Sequence, residues 1–203
     1  MTDTNLDYKK AKTLLLSGMN SECQCYFAKN NYPLELSYCQ LLNDNIADAE
    51  HTLSFIKNSD IRAHWLDFLI SLIKLDANGY PSYFEIRNFL EIDLNILLRH
   101  YKGNYTENIL RYSDSLFTIN PEVYKFIGRV LYNNGYEPQA MFFLDKAKQY
   151  FYNDPELHYL LGFIFYNKKE YLSAQKALKN CLNILPKYFP AMNLNEKIIK
   201  TYK

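Results

Sequence analysis

The sequence predicts an all-α protein, and three observations support this fold class. The 203 residues include only six glycines and seven prolines, whereas tyrosine and phenylalanine occur 19 and 13 times. Turn-rich β proteins need more glycine, and large aromatic side chains suit packed helices. Apolar residues recur at helical spacing along the chain. The 48% of residues that are hydrophobic supply enough apolar mass for a buried core.

Helix boundaries follow from this spacing and from stop signals. We predict helices at residues 5–17, 20–30, 33–43, 46–57, 60–76, 81–101, 105–118, 121–133, 137–150, 155–167, 171–184 and 188–202. Pro121, Pro155 and Pro190 lie at or near a first helical turn, where a missing backbone N–H costs nothing. Gly103 and Gly135, each beside an asparagine, are expected to take the left-handed backbone that ends a helix. Short connections between the helices predict antiparallel hairpins.

Charge and hydropathy exclude several classes of partner. The 23 Lys and Arg against 22 Asp and Glu leave a net charge of +1, which gives no general attraction for nucleic acid or anionic lipid. The most apolar stretch, residues 65–73, is too short to span a bilayer and contains Asp67. The N-terminus lacks the basic and apolar segments of a secretory signal. We therefore expect a cytoplasmic protein without membrane insertion, whose four cysteines are reduced.

An internal repeat with a period of 34 residues occupies residues 121–186. Six pairs of small or apolar residues keep this spacing: Pro121 and Pro155, Gly128 and Gly162, Leu131 and Phe165, Ala140 and Ala174, Leu144 and Leu178, Ala147 and Cys181. A common period at such positions indicates repeated helix hairpins.

The repeated positions also form a recognisable pattern. One copy reads Tyr124-x2-Ile127-Gly128-x2-Leu131 with Ala140-x3-Leu144, and the next reads His158-x2-Leu161-Gly162-x2-Phe165 with Ala174-x3-Leu178 and Pro186. This pattern resembles the tetratricopeptide repeat family. The resemblance implies a right-handed superhelical α-solenoid of antiparallel helix hairpins. It also implies that the first helix of each repeat lines a concave groove, which binds an extended peptide or a helix of another protein.

The repeat pattern weakens towards the N-terminus. Residues 103–121 and 45–56 match it in part, and residues 60–101 hold two long apolar helices. We expect divergent helical hairpins at residues 1–78 and repeats at residues 79–203, in one continuous solenoid. The final helix carries Ala191, Leu194, Ile198 and Tyr202 on one side, which is typical of the helix that caps a repeat array.

Within each repeat, the small residues mark the contact between two helices. Gly128 and Gly162 remove a side chain where the helices of a hairpin cross, and Ala140 and Ala174 do the same from the opposing helix. The packing stripes are predicted to comprise residues 158, 161, 162 and 165 on one helix and 174, 178, 181 and 185 on the next.

The face left over by these stripes is the candidate binding surface. In the second copy it carries Tyr159, Phe163, Tyr166 and Asn167, an aromatic platform for a peptide. The corresponding residues of the first copy are Lys125, Arg129, Tyr132 and Asn133, with Arg99 on the preceding helix, and these cations and amides suit a carboxylate. Two other interpretations stay open: the C-terminal helix covers the aromatic platform, and Lys125 and Arg129 form an ordinary solvated face.

No pattern in the sequence points to catalysis, a cofactor or a metal. The glycine motifs that cradle phosphates and the Gly-x-Ser-x-Gly nucleophile motif are missing. Cys23-x-Cys25 turns its side chains apart on a helix, so these residues and Cys39 are predicted to be small buried apolar residues. The four histidines lack metal-binding spacings, and we expect structural roles for them.

Together these features predict a non-enzymatic protein–protein interaction module. Two alternatives share the same architecture, namely a self-associating scaffold that forms homo-oligomers and a chaperone of the secretion type. RNA binding by related helix-hairpin repeats fits less well, because the net charge is close to zero.

Overall fold

In the computed structural model, which describes residues 6–56 and 60–201, every regular element is an α-helix. The expected all-α class is therefore confirmed for these residues. The chain divides into two compact units, Met1–Val123 and Tyr124–Lys203. The division expected after residue 78 lies inside the first unit.

The first unit contains eight helices within the described residues. They are α1 (Tyr8–Ser17), α2 (Asn20–Lys29), α3 (Pro33–Leu42), α4 (Ile46–Ser54), α5 (Ile61–Ile73), α6 (Tyr83–Arg99), α7 (Gly103–Arg111) and α8 (Ser113–Ile119). Each helix packs against the next along the chain, and α5 also contacts α7.

Side-chain caps define where several of these helices begin. Asp7 accepts a hydrogen bond from the backbone N–H of Lys10 at 2.8 Å, and Asp60 does the same for Arg62 at 2.5 Å. Ser82 and Glu85 form a reciprocal capping box at the start of α6. Such caps satisfy backbone donors that have no partner within the helix.

Helix α5 forms the centre of the first unit. Trp65, Leu66, Leu69, Ile70 and Leu72 are all fully buried on this helix. They point in several directions around the axis, as expected for a helix enclosed by its neighbours α4, α6 and α7.

Two local predictions for the first unit are wrong. Residues 105–118 form two helices instead of one, because the backbone N–H of Tyr112 bonds to Ile109, three residues back, and the α-helical hydrogen-bond pattern is interrupted there. Gly103 begins α7 instead of ending the preceding helix. The left-handed position belongs to Tyr101, with φ 59°, and the following N–H of Lys102 bonds back to Leu97.

The second unit is built from α9 (Val123–Asn133), which begins at the last residue of the first unit, α10 (Glu137–Tyr150), α11 (Pro155–Asn167), α12 (Tyr171–Ile184) and α13 (Phe189–Thr201). Gly135 takes the predicted left-handed backbone, with φ 85°, directly after α9. Pro155 occupies the first position of α11, and Asp154 caps that helix through the N–H groups of Glu156 and Leu157.

The predicted close approach at both glycines is confirmed. A methyl group built at Gly128 would lie 2.6 Å from Leu144 Cγ and 3.2 Å from the carbonyl oxygen of Ala140. At Gly162 the equivalent distances are 2.9 Å to Leu178 Cγ and 3.4 Å to the oxygen of Ala174. The second unit therefore contains two equivalent helix pairs, α9 with α10 and α11 with α12.

The last helix covers the second pair. Its residues Ala191, Leu194 and Ile198 are buried against Ala174, Leu178 and Cys181 of α12. Leu185, which we expected in the same stripe, lies beyond the end of α12 and is 43% exposed. Tyr202 lies outside the described residues.

None of the helices in the described part of the chain combines the length and the apolar character that a membrane span requires.

Replacing Gly128 with Ala tests the helix contact. The new methyl group overlaps Leu144, and we expect the free energy of unfolding to fall by roughly 1–2 kcal/mol despite the better helix propensity of Ala. Gly103→Ala is the matched control, because no atom lies within 4 Å of its new methyl group and its stability should not fall. Urea unfolding followed by circular dichroism measures both variants. Equal stability of Gly128→Ala and the parent chain would contradict the contact.

Candidate functional site

Four aromatic rings follow one another across the surface of the second unit. Phe163 lies at the centre, with ring centroids 6.4 Å from both Tyr132 and Tyr159, and the ring of Tyr188 lies 5.4 Å from that of Tyr159. Phe163 is 37% exposed, and the three tyrosines are half-buried. We call these four residues the aromatic strip.

The packing of α11 explains why the strip faces outwards. This helix buries Leu157, Leu161 and Ile164 and uses Gly162 against α12. At helical spacing, Tyr159 and Phe163 then lie on another side of the same helix. Tyr188 joins them from the turn before α13, although the sequence predicts it as the first residue of that helix and not as part of the binding surface.

Two asparagines, Asn133 and Asn167, are the last residues of α9 and α11. Asn133 and Asn167 are both exposed. The side-chain amide of Asn167 donates a 2.8 Å hydrogen bond to the hydroxyl oxygen of Tyr132, which ties α11 to α9.

Tyr166 is not part of the strip, because its ring packs against Tyr171 at 6.0 Å. Tyr159, Tyr166 and Tyr188 all pack in part against the cluster that α13 covers, so the last helix covers the predicted aromatic platform in part.

The predicted cations of α9 are engaged within the chain. Lys125 is only 4% exposed, and its Nζ lies 2.7 Å from Asp154 and 3.1 Å from Glu156. Arg129 pairs with the same Glu156. Lys125 therefore does not belong to a solvated face, and its charge joins α9 to the start of α11.

Arg99 lies at the end of α6 and is exposed, in the first unit. The other predicted site residues belong to the second unit. The role of Arg99 beside them stays a prediction.

The ion pairs lower the pKa of Glu156. Burial alone would raise it, but the hydrogen bond and charge of Arg129, followed by those of Lys125, outweigh burial and leave the pKa below its ordinary value. The carboxylate therefore stays ionised at neutral pH and holds both cations.

The structure agrees with the predictions for His158, Cys23 and Cys39 but not with that for Cys25. His158 is buried and donates from Nε2 to the carbonyl oxygen of Tyr152 at 2.7 Å, which is the structural role expected of it. Cys23 and Cys39 are buried with their sulfur atoms 3.4 Å apart, whereas Cys25 is exposed and the prediction of a buried residue is wrong there. No group of three metal-ligating side chains occurs in residues 6–56 and 60–201.

Sequence reasoning missed a buried polar cluster in the first unit. The carboxylate of Asp93, 1% exposed, accepts hydrogen bonds from the Tyr38 hydroxyl at 2.9 Å, from Trp65 Nε1 at 2.6 Å and from both terminal nitrogens of Arg62 at 2.9 and 2.5 Å. These partners lie 28 to 55 residues from Asp93 in the chain, so no local motif connects them.

The chain matches no model of a known protein family, and a search of curated proteins returns no match either.

Removing Asp154 should destabilise the second unit far more than removing Lys125. Asp154→Ala loses the cap of α11 and leaves a buried lysine with only part of its pairing, at a cost of about 2–4 kcal/mol. Lys125→Met also removes one partner of a buried pair, but Asp154 still accepts two backbone N–H groups at the cap and Glu156 still pairs with Arg129, so the cost should be limited to about 1–1.5 kcal/mol. Chemical unfolding of both variants gives the two values. Equal losses of unfolding free energy in the two variants would contradict the roles assigned to Asp154 and Lys125.

The depressed pKa of Glu156 predicts a loss of stability in acid. A carboxylate whose pKa is lower in the folded state stabilises the fold above its unfolded pKa, and this contribution disappears as the pH falls through the folded-state value. We expect the melting temperature of the parent chain to drop more steeply below about pH 5 than that of Glu156→Gln. If the melting temperatures of the two chains fell in parallel as the pH is lowered, the lowered pKa of Glu156 would be contradicted.

Proposed function

We propose that the chain is a non-enzymatic protein-interaction module, built from tetratricopeptide-like helix hairpins, that binds an extended segment of another protein along the aromatic strip. The observation that carries this proposal is the exposed ring of Phe163, held between Tyr132 and Tyr159. Rigid aromatic side chains supply large contact areas at low entropic cost, and they are enriched at the energetic centres of interfaces.

The aromatic strip also has the polar neighbours that an extended peptide needs. Asn167 bonds to Tyr132 of the strip and Asn133 follows Tyr132 in the chain; both residues are exposed, and amide groups both donate and accept hydrogen bonds with a peptide backbone. The strip runs from α9 over α11 to the turn before α13, so it offers several side-chain positions in a row. A segment with aromatic or aliphatic residues would pack on it.

The sequence pattern favoured carboxylate binding by Lys125 and Arg129, but this proposal gives them a structural role. Lys125 and Arg129 are already paired with Asp154 and Glu156, so a carboxylate of the partner would have to compete with two carboxylates of the chain itself. We therefore assign recognition to the aromatic strip and assign Lys125 and Arg129 to holding α9 against α11.

Selection of binding peptides tests this function and does not require an identified partner. A phage library of random peptides is selected on the intact chain, and the enriched peptides are synthesised and titrated by calorimetry. We expect Phe163→Ala to weaken their binding by about tenfold or more, because truncating a central aromatic anchor removes much of the binding free energy.

Phe142→Ala provides the matched control. Phe142 is an exposed phenylalanine of α10 outside the aromatic strip, and its loss should change the affinity by no more than about twofold. Peptides that bind Phe163→Ala and the parent chain equally well, or a selection that enriches no peptide, would refute the assignment.

A further inference from the structure

The first unit contains two thiols in contact that the proposed function does not use. Cys23 lies in the first half of α2 and Cys39 in the second half of α3, and both are fully buried. Their Sγ atoms are 3.4 Å apart. At this distance the two sulfur atoms touch, so no other side chain separates them.

The connection between α2 and α3 explains why these thiols meet. The backbone of Asn31 is left-handed, with φ 57°, and the N–H of Tyr32 bonds back to the carbonyl oxygen of Phe27 at 3.0 Å. This arrangement ends α2 and reverses the chain within a few residues. Cys23 and Cys39, 16 residues apart in the chain, are therefore brought opposite each other on neighbouring helices.

The contact suits a disulfide bond between these two residues. A disulfide holds its sulfur atoms at about 2.05 Å, so the two thiols would approach each other by roughly 1.4 Å. Cys25 follows two residues after Cys23 and is exposed on another side of α2. The geometry therefore selects Cys23, and not Cys25, as the partner of Cys39.

The fold protects both thiols while α2 is in place. Burial raises the pKa of Cys23 and of Cys39 above the ordinary value of a thiol, and the thiolate is the reactive form. Helix α2 packs mainly against α1 and α3, whereas the core of the first unit surrounds α5. A local opening of α2 therefore exposes both thiols without unfolding the centre of the unit.

We propose that Cys23 and Cys39 form a reversible disulfide that locks α2 to α3 when the chain meets a low-molecular-weight disulfide such as glutathione disulfide. The thiolate of one cysteine attacks glutathione disulfide, whose S–S bond breaks and releases one glutathione thiolate. The thiolate of the other cysteine then attacks the protein-bound sulfur, so that the bond between Cys23 and Cys39 forms and the second glutathione leaves. The two protein thiols are oxidised, and glutathione disulfide is reduced to two glutathione molecules, which take up the two protons. This inference uses the first unit alone and is independent of peptide binding at the aromatic strip.

Peptide mapping of the intact chain after incubation with glutathione disulfide tests the proposal. Remaining thiols are blocked with iodoacetamide, and trypsin then places Cys23 and Cys25 in the peptide 13–29 and Cys39 in the peptide 30–57. We expect these two peptides to be crosslinked, and dithiothreitol to release them. The exposed Cys25 should take up glutathione before the crosslink appears, because it needs no opening of the helix.

A matched pair of variants assigns the crosslink, because Cys23 and Cys25 share one peptide. Cys25→Ser changes an exposed residue, so the chain should fold as the parent does and still form the crosslink. Cys23→Ala keeps Cys25 and should form the crosslink at least about tenfold less, because Cys25 lies on another side of α2.

Hydrogen exchange followed by mass spectrometry measures the lock. In oxidised Cys25→Ser, the amides of α2 should exchange about tenfold or more slowly than in the reduced chain, because closing a loop of 16 residues restricts the opened state. The amides of α10, in the second unit, are the control and should stay within about twofold.

Three results would overturn the proposal. The first is the lack of a crosslink in Cys25→Ser under excess glutathione disulfide. The second is an equal yield of crosslink in Cys23→Ala and Cys25→Ser, which would make Cys25 an equivalent partner of Cys39. The third is equal exchange of α2 in the oxidised and the reduced chain, which would show that the bond locks nothing.

Discussion

The contact of a glycine with a leucine sets the spacing of both helix pairs in the second unit. Gly128 meets Leu144, and Gly162 meets Leu178, at distances that leave no room for a β-carbon. This contact fixes which side of α11 is buried, so Tyr159 and Phe163 must face elsewhere. Close packing at these glycines thereby determines which side of α11 can carry an exposed aromatic surface.

Both units contain a buried pair of opposite charges that fixes how their helices pack. Lys125 pairs with Asp154 at the start of α11, and Arg62 pairs with Asp93 at the centre of the first unit. Such pairs contribute little net stability compared with apolar side chains of the same size, but losing one partner is costly. A packing that separates the two partners is therefore costly, and each pair holds its own side chains, such as the guanidinium of Arg62, in one orientation.

The sequence predicted the features that depend on local rules and missed those that depend on distant residues. The glycines at 128 and 162, the cap and proline at the start of α11, and the covering role of α13 follow from spacing within one or two helices. The pairing of Lys125 with residues 29 and 31 positions further along the chain has no such signal, and neither does the cluster around Asp93. The break at Tyr112 was missed because apolar spacing continues across it.

The most direct test of the helix pairs is a nuclear Overhauser measurement on a chain with labelled leucine methyl groups. We expect strong cross-peaks from the α-protons of Gly128 to the methyl groups of Leu144, and from those of Gly162 to the methyl groups of Leu178, because each leucine side chain lies less than 3 Å from the place that a β-carbon of the glycine would occupy. Absence of both cross-peaks in the folded chain would contradict the paired-helix arrangement and, with it, the reason why the aromatic strip faces outwards.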